Sequence, residues 1–311
     1  MVKKAVVLLA LFLLMACSSK ETVIELQNPF IGGTSGVNID FQNMRKEVFD
    51  GGRDPFDVVV KLDNKGEADV VKSRVRVRLS GVNPSEFSKL EEQLAKNPDD
   101  DVIATKKDNT GKLLTSPPAF VEFSDLNHFS PIVGASADFT LRADVCYTYK
   151  TLAVSKLCVR SNILSPEAGG ICEINQDKAV FNSGSPLQFG ALTESARAKD
   201  KIGFTFEVKK VGTGDVFEKE SSCDRAQKNK ADKVFVKVDT KMNGVSCTGL
   251  TSSGSVASGF ITLFGGAKVI SCTQPVSSRT NFEQLVSLEA GYDFENFAQT
   301  TFTVKNSGSS S

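Results

Sequence analysis

The chain has 311 residues, room for two domains of roughly 100–200 residues each. Its 37 Lys and Arg side chains balance 37 Asp and Glu, so the basic excess of a dedicated nucleic-acid binder is missing. An apolar content of 40% excludes a wholly disordered chain, and a single histidine, His128, excludes multi-histidine metal sites.

Met1-Val-Lys-Lys4 is a short positive start, followed by an apolar run from Ala5 to Ala16 and then Cys17-Ser-Ser19. A dozen apolar residues are too few to span a bilayer, which takes about 20, and the pattern is that of a secretory signal. The segment Leu14-Met-Ala-Cys17 resembles the lipobox of prokaryotic lipoproteins, in which the cysteine is acylated and becomes the new N-terminus. That resemblance implies a signal peptide over residues 1–16, lipidation of Cys17 and a tether over 17–35. The body is then held to the cell membrane by lipid, on its extracytoplasmic side.

The next signal is a repeat. Val286, Leu288, Ala290, Tyr292 and Phe294 match Leu141, Ala143, Val145, Tyr147 and Tyr149 without a gap, and Phe302 and Val304 match Leu157 and Val159. The matched residues have the period of two that lines one face of a strand. Each segment, 139–159 and 284–304, therefore reads as a β-hairpin with one apolar face. Upstream, Phe56, Val58, Val60 and Leu62 run into Asn64-Lys-Gly66, while Ile202, Phe204, Phe206 and Val208 run into Val211-Gly-Thr-Gly214. Val75, Val77 and Leu79 correspond to Val234, Val236 and Val238. Short amphipathic strands with almost no helical signal predict an all-β chain of two tandem sandwich domains, at 36–160 and 186–305, the second folding on its own from near Gly184.

An alternating strand, then Asn-x-Gly-x-x-x-Val, then a terminal Tyr-x-Tyr/Phe hairpin resembles tandem immunoglobulin-like domains of the CARDB type. The resemblance implies a surface-exposed, non-enzymatic setting and supplies no ligand or site residues. Residues 83–134 read as an insertion in the first domain. Asn83-Pro84 and Glu86 open a helix there, Phe87, Leu90 and Leu94 share one of its faces, and Asn97-Pro98 ends it. Residues 161–185, with Pro166, Gly169, Gly170 and Gly184, read as a linker, and 306–311 as a low-complexity disordered tail.

Six cysteines beyond Cys17 in an exported chain predict disulfides. In the first expected hairpin Cys146 and Cys158 both point outward, and the second copy lacks both, which pairs them as Cys146–Cys158. Cys247–Cys272 follows from a turn at Phe264-Gly-Gly-Ala267, and Cys172–Cys223 remains.

Candidate sites are few. Asp99, Asp100 and Asp101 lack the alternating spacing of a calcium loop and read as a solvated turn. Arg74, Arg76 and Arg78 line one face of a strand, either as its water side or as a contact for acidic polymers or headgroups. His128 lies outside any nucleophile motif, and Tyr147, Tyr149 and Tyr292 read as core residues with hydroxyls bonded to backbone. No cofactor motif and no Asn-x-Ser/Thr sequon occurs. The expected function is that of a membrane-anchored surface lipoprotein with a structural, adhesive or binding role and a protein or envelope-polymer partner. The alternatives are an accessory subunit of an envelope assembly or transport machine and, last, a hydrolase.

Overall fold

Alternating apolar residues carry most of the described chain into strands, and among the described residues helical turns are limited to 3-10 segments of three or four residues. A computed structural model describes residues 27–108, 110–164, 171–278 and 280–308. The expected signal peptide and Cys17 lie outside them. The principal strands are β1 (Val37–Gln42), β2 (Phe56–Asn64), β3 (Val75–Ser80), β4 (Ala119–Leu126) and β5 (Ser136–Val159). They continue with β6 (Leu192–Ala198), β7 (Lys201–Lys210), β8 (Lys233–Asp239), β9 (Val256–Thr262), β10 (Ala267–Pro275) and β11 (Phe282–Lys305).

Neither repeated segment is a hairpin. β5 and β11 are single strands of 24 residues each, paired antiparallel with each other from Phe282↔Val159 to Lys305↔Ser136. The expected turn near residue 150 does not form because Lys150–Lys156 contains no Gly, Pro or Asn. Thr151, Ala153 and Ser155 there keep the inward parity of Leu141–Tyr149 although they are small or polar, and all three are buried.

The repeat register and the pairing register meet at one place. Thr148 aligns with Asp293 in the repeat and is also its cross-strand partner, so a pseudo-twofold axis passes between them, normal to the sheet. On either side β3 pairs with β5 and β8 pairs with β11, and β9 extends the sheet beyond β8. A three-stranded sheet β1–β2–β4 covers one half of the inner face, and a sheet built on β6–β7–β10 covers the other. The inward residues of all three sheets form one apolar core, from Val58, Val60 and Leu62 through Leu141, Val145 and Leu288 to Phe204, Phe206 and Val208.

The tandem-domain expectation is therefore corrected: the two halves share a central sheet and a core. The described end of the expected linker, 171–185, is docked on the body: Phe181–Asn182 pair with β5, Asp177–Lys178 pair with β6, and Ser183 and Ser185 are buried. Part of the expected tether is docked as well. The Glu67 carboxylate accepts the backbone N–H groups of Ile31 (2.9 Å), Gly32 (2.9 Å) and Gly184 (2.6 Å), tying the entry segment to the start of the second half.

The expected helical insertion is two 3-10 turns, Pro84–Phe87 and Glu91–Leu94. Asn83 caps the first, and Ser88 at φ 56° breaks the run, so Leu90 turns out to solvent while Phe87 and Leu94 are buried. β4 is not an insertion at all: it is an edge strand of the first covering sheet, where β10 stands in the second. The expected tail also begins in contact with the body, since the Asp50 carboxylate accepts the Ser307 N–H (2.7 Å) and the Ile132 N–H (2.7 Å). Hydrogen bonds from the Ser307 side chain and from those two amides hold the Asp50 carboxyl down at about 2.

Two expected disulfides are replaced. Cys146 and Cys158 stand twelve residues apart on one strand, about 40 Å at 3.3 Å per residue, far beyond bridging distance. Cys146 is bonded to Cys223, Cys158 to Cys172, and Cys247 to its cross-strand neighbour Cys272. The Cys146–Cys223 bridge spans 77 residues of sequence, for which chain entropy gives roughly 4–5 kcal/mol of stabilisation.

Two outcomes are expected. Residues 184–311 produced alone lose the whole β5 edge and should show no cooperative thermal melt by circular dichroism. Gly66→Ala should cost about 3 kcal/mol or more in denaturant unfolding. An added Cβ there meets the Tyr149 hydroxyl at 2.1 Å and the Gly184 carbonyl at 2.6 Å.

Candidate functional site

Among the described residues no sheet covers the outer face of the central sheet, and near the pseudo-twofold axis a loop crosses it. Asp215–Phe217 pairs with β11, and the chain returns at Ala231, bridged to Phe217. Glu218 N–H to Lys230 O (2.8 Å) and Asp232 N–H to Val216 O (2.8 Å) close the base of the loop. Residues 218–230 thus form an Ω-like loop with a pinned neck. It reaches over β11 to β5, where Cys223 joins Cys146.

Asp293 lies beneath it, 1% exposed. Its Oδ1 accepts the Thr148 hydroxyl (2.7 Å) and the Glu220 N–H (3.0 Å), and its Oδ2 accepts the Ser222 N–H (2.9 Å) and the Ser221 hydroxyl (3.3 Å). A buried carboxylate costs several kcal/mol unless hydrogen bonds replace its water, and four donors do so here. Cys146, Cys223 and Asp293 place their ligand atoms within 4.8 Å of one another. The sulfurs are bonded to each other and the carboxylate is fully engaged, so the trio acts as a clasp and not as a metal centre. Three residues of the loop, Glu220 (φ 66°), Ser222 (φ 56°) and Cys223 (φ 52°), are left-handed without being glycine.

The arginine row lies beside this clasp. Arg76 stands opposite Cys146 and Arg78 opposite Asp144. Together with Arg225, Glu295 and the disulfide they line an open groove of about 510 Å³. Most of the charges are neutralised within the chain. Arg225 bridges Asp215 (2.7 Å) and Glu295, Arg142 pairs with Asp144 (2.6 Å) while lying 3.6 Å from the Phe297 ring centroid, and Arg74 reaches Glu220 (3.5 Å). Burial pushes the Glu295 carboxyl up against the pull of Arg225. Arg76 and Arg78 are exposed, and neither has a carboxylate within 4.0 Å among the described residues.

The other candidates fall elsewhere. Asp99–Asp101 form an exposed turn in which the Asp101 carboxylate accepts the Lys72 N–H (2.8 Å) and the Asp99 carbonyl accepts the Lys72 ammonium (2.7 Å). His128 is buried in an aromatic cluster, 5.0 Å from the Phe87 ring and 5.4 Å from Phe139, with Nδ1 making no hydrogen bond among the described residues. The three tyrosines are core residues at the axis. Tyr147 accepts the Val37 N–H (3.1 Å), Tyr149 accepts the Ala68 N–H (3.3 Å) and donates to Asn64 (3.1 Å), and Tyr292 bonds Thr151 (3.1 Å). Desolvation drives all three hydroxyls well above the usual range. Cys17 lies outside the described residues.

Sequence reasoning missed Glu67, Glu194 and Asp293, each an isolated carboxylate with no motif around it. Asp293 alone had a signal: it is the one charged residue at an axis position of the repeat. Glu194 is fully buried, accepts the Cys158 N–H (3.0 Å) and pairs with Lys178 (3.2 Å), behind the Cys158–Cys172 bridge. No protein-family model matches the chain, and no curated protein matches its sequence.

Desolvation raises the Glu194 carboxyl from 4.5 to about 7, against the pull of the Cys158 N–H and Lys178. Between those values the folded chain keeps a proton that the unfolded chain has released, so this group's contribution to stability falls as pH rises through that window. Glu194→Gln should flatten the pH dependence of Tm between pH 5 and 8; an unchanged slope would assign it to other groups.

Proposed function

We propose that the chain is a membrane-anchored surface lipoprotein whose body serves a non-enzymatic structural, adhesive or binding role. The observation that carries this reading is the pairing of a lipobox-like N-terminus with an all-β body crossed by three disulfides. Bridges of this number suit an oxidising, extracytoplasmic compartment. No helix among the described residues is long and apolar enough to cross a membrane.

The form of the body supports a spacer. Phe30 lines one pocket together with Leu152 and Val154 of β5, while the loops bound by Asp50 gather beside Ser136 at the other end of that strand. At 3.3 Å per residue about 55 Å separates the two. An anchor near residue 17 then leaves the far loops and the uncovered sheet face to meet other molecules. The groove beside Arg76 and Arg78, two cations without a carboxylate partner among the described residues, is the surface we assign to contact with an acidic partner.

Cys17→Ser protein should leave the membrane fraction and appear soluble, with its body still folded. Retention in the membrane like the parent would place the anchor elsewhere. Arg76→Glu combined with Arg78→Glu should remove most partner adducts formed by surface crosslinking on whole cells while leaving Tm unchanged.

A further inference from the structure

The loop over the axis is held in a manner that invites release. Its neck, at Phe217 and Ala231, is secured by backbone pairing that owes nothing to the bridge. Its crown is secured by the Cys146–Cys223 bond, by the Asp293 carboxylate and by ion pairs at Arg225 and Glu220. The crown also carries the three left-handed non-glycine residues, a backbone conformation that persists only while surrounding contacts impose it.

The three bridges are unequally accessible. Cys272 is fully buried and opposed in register by Cys247 at 5%, and Cys158, 1% exposed with its N–H engaged by Glu194, is bonded to Cys172 at 8%, so each of these bridges has one sulfur wholly inside. Cys146 at 9% and Cys223 at 5% instead form part of the wall of the open groove. Arg76, Arg78 and Arg225 share the groove with Asp144, Asp224 and Glu295; Asp144 and Glu295 are paired with Arg142 and Arg225, so Arg76 and Arg78 are left to meet an incoming thiolate and to favour the thiolate that must leave. The nearby Asp293 charge is spread over four donors.

We infer that Cys146–Cys223 is a redox-labile clasp: its reduction releases residues 218–230 from the outer face and exposes Asp293 and the floor of the groove, while the sheets stay folded. The co-reactant is a dithiol. One of its thiolates attacks a bridge sulfur, the S–S bond breaks, and the departing cysteine thiolate takes a proton. The second thiol of the reductant resolves the mixed disulfide and leaves as the reductant's own disulfide, so two electrons pass to the clasp. Reoxidation returns the loop to Asp293.

The test is graded reduction of the intact protein with dithiothreitol, followed by alkylation, peptide mapping and hydrogen exchange. Cys146 and Cys223 should be alkylated about tenfold faster than the other four bridged cysteines. Amide protection should be lost within residues 218–230 and kept in β5 and β11. The Cys146→Ser, Cys223→Ser double variant, without reductant, should reproduce that exchange pattern and still melt cooperatively. Equal labelling of all six cysteines, earlier opening of Cys158–Cys172, or loss of protection spreading into β5 and β11 would overturn the inference. Should the double variant fail to fold, the graded reduction of the parent decides alone.

Discussion

Twenty-four consecutive residue pairs join β5 to β11, and the position of almost everything else follows from the register of those pairs. Because Thr148 and Asp293 are both repeat-equivalents and partners, each half of the chain is rotated onto the other about a line through the sheet. Such a rotation keeps equivalent side chains on the same face. Both covering sheets must then lie on one side, and the apolar residues of two repeats become one core. The same geometry explains why the halves are joined so closely: each long strand is the other's edge, and an edge of that length left unpaired would present a long row of backbone donors and acceptors to any passing strand.

At the axis the symmetry is imperfect in ways that matter. On the inner face Tyr147, Tyr149, Tyr292 and Phe294 meet as four rings, with Tyr147–Tyr149 centroids 5.6 Å apart and Tyr147–Phe294 5.9 Å apart. Three hydroxyls find partners, and the fourth position carries none. On the outer face the differences are larger. Cys146 has Gly291 as its counterpart, and Thr148 has Asp293. One loop exploits both differences, crossing where glycine leaves room for Lys219 and bonding where the cysteine and the carboxylate stand. The chemistry of the surface is concentrated where the two repeats cease to match.

Much of the fold was legible in the sequence and a specific part was not. Period-two alternation identified the strands, because burial on one face imposes it directly. The repeat was visible for the same reason. What alternation cannot convey is which strand pairs with which: Thr151, Ala153 and Ser155 continue the parity of β5 with small side chains that resemble a turn, and the hairpin reading followed. From that single error came the separate domains, the free linker and the Cys146–Cys158 bridge. Of the site, Arg74, Arg76 and Arg78 and the outward direction of Cys146 were readable from one strand. Asp293 and the loop were not, since their roles depend on contacts between segments some 70 residues apart. The 3-10 turns at 84–94 had a helix's cap and start, and only the left-handed Ser88 shows why the helix ends within a turn.

The long strands also determine how the molecule bears a load. Hydrogen bonds between antiparallel strands lie perpendicular to the strand direction. A pull applied between the segment at Phe30, clamped by Glu67, and the loops beside Ser136 runs along β5 and β11. The bonds between them are then sheared together instead of being peeled open in succession. Rupture by shear requires many bonds to fail at once, whereas peeling breaks one at a time under a small force. A body tethered at one end and engaged at the other would meet tension in its strongest direction, with the Cys146–Cys223 bond tying β5 at mid-length to the loop whose neck pairs with β11.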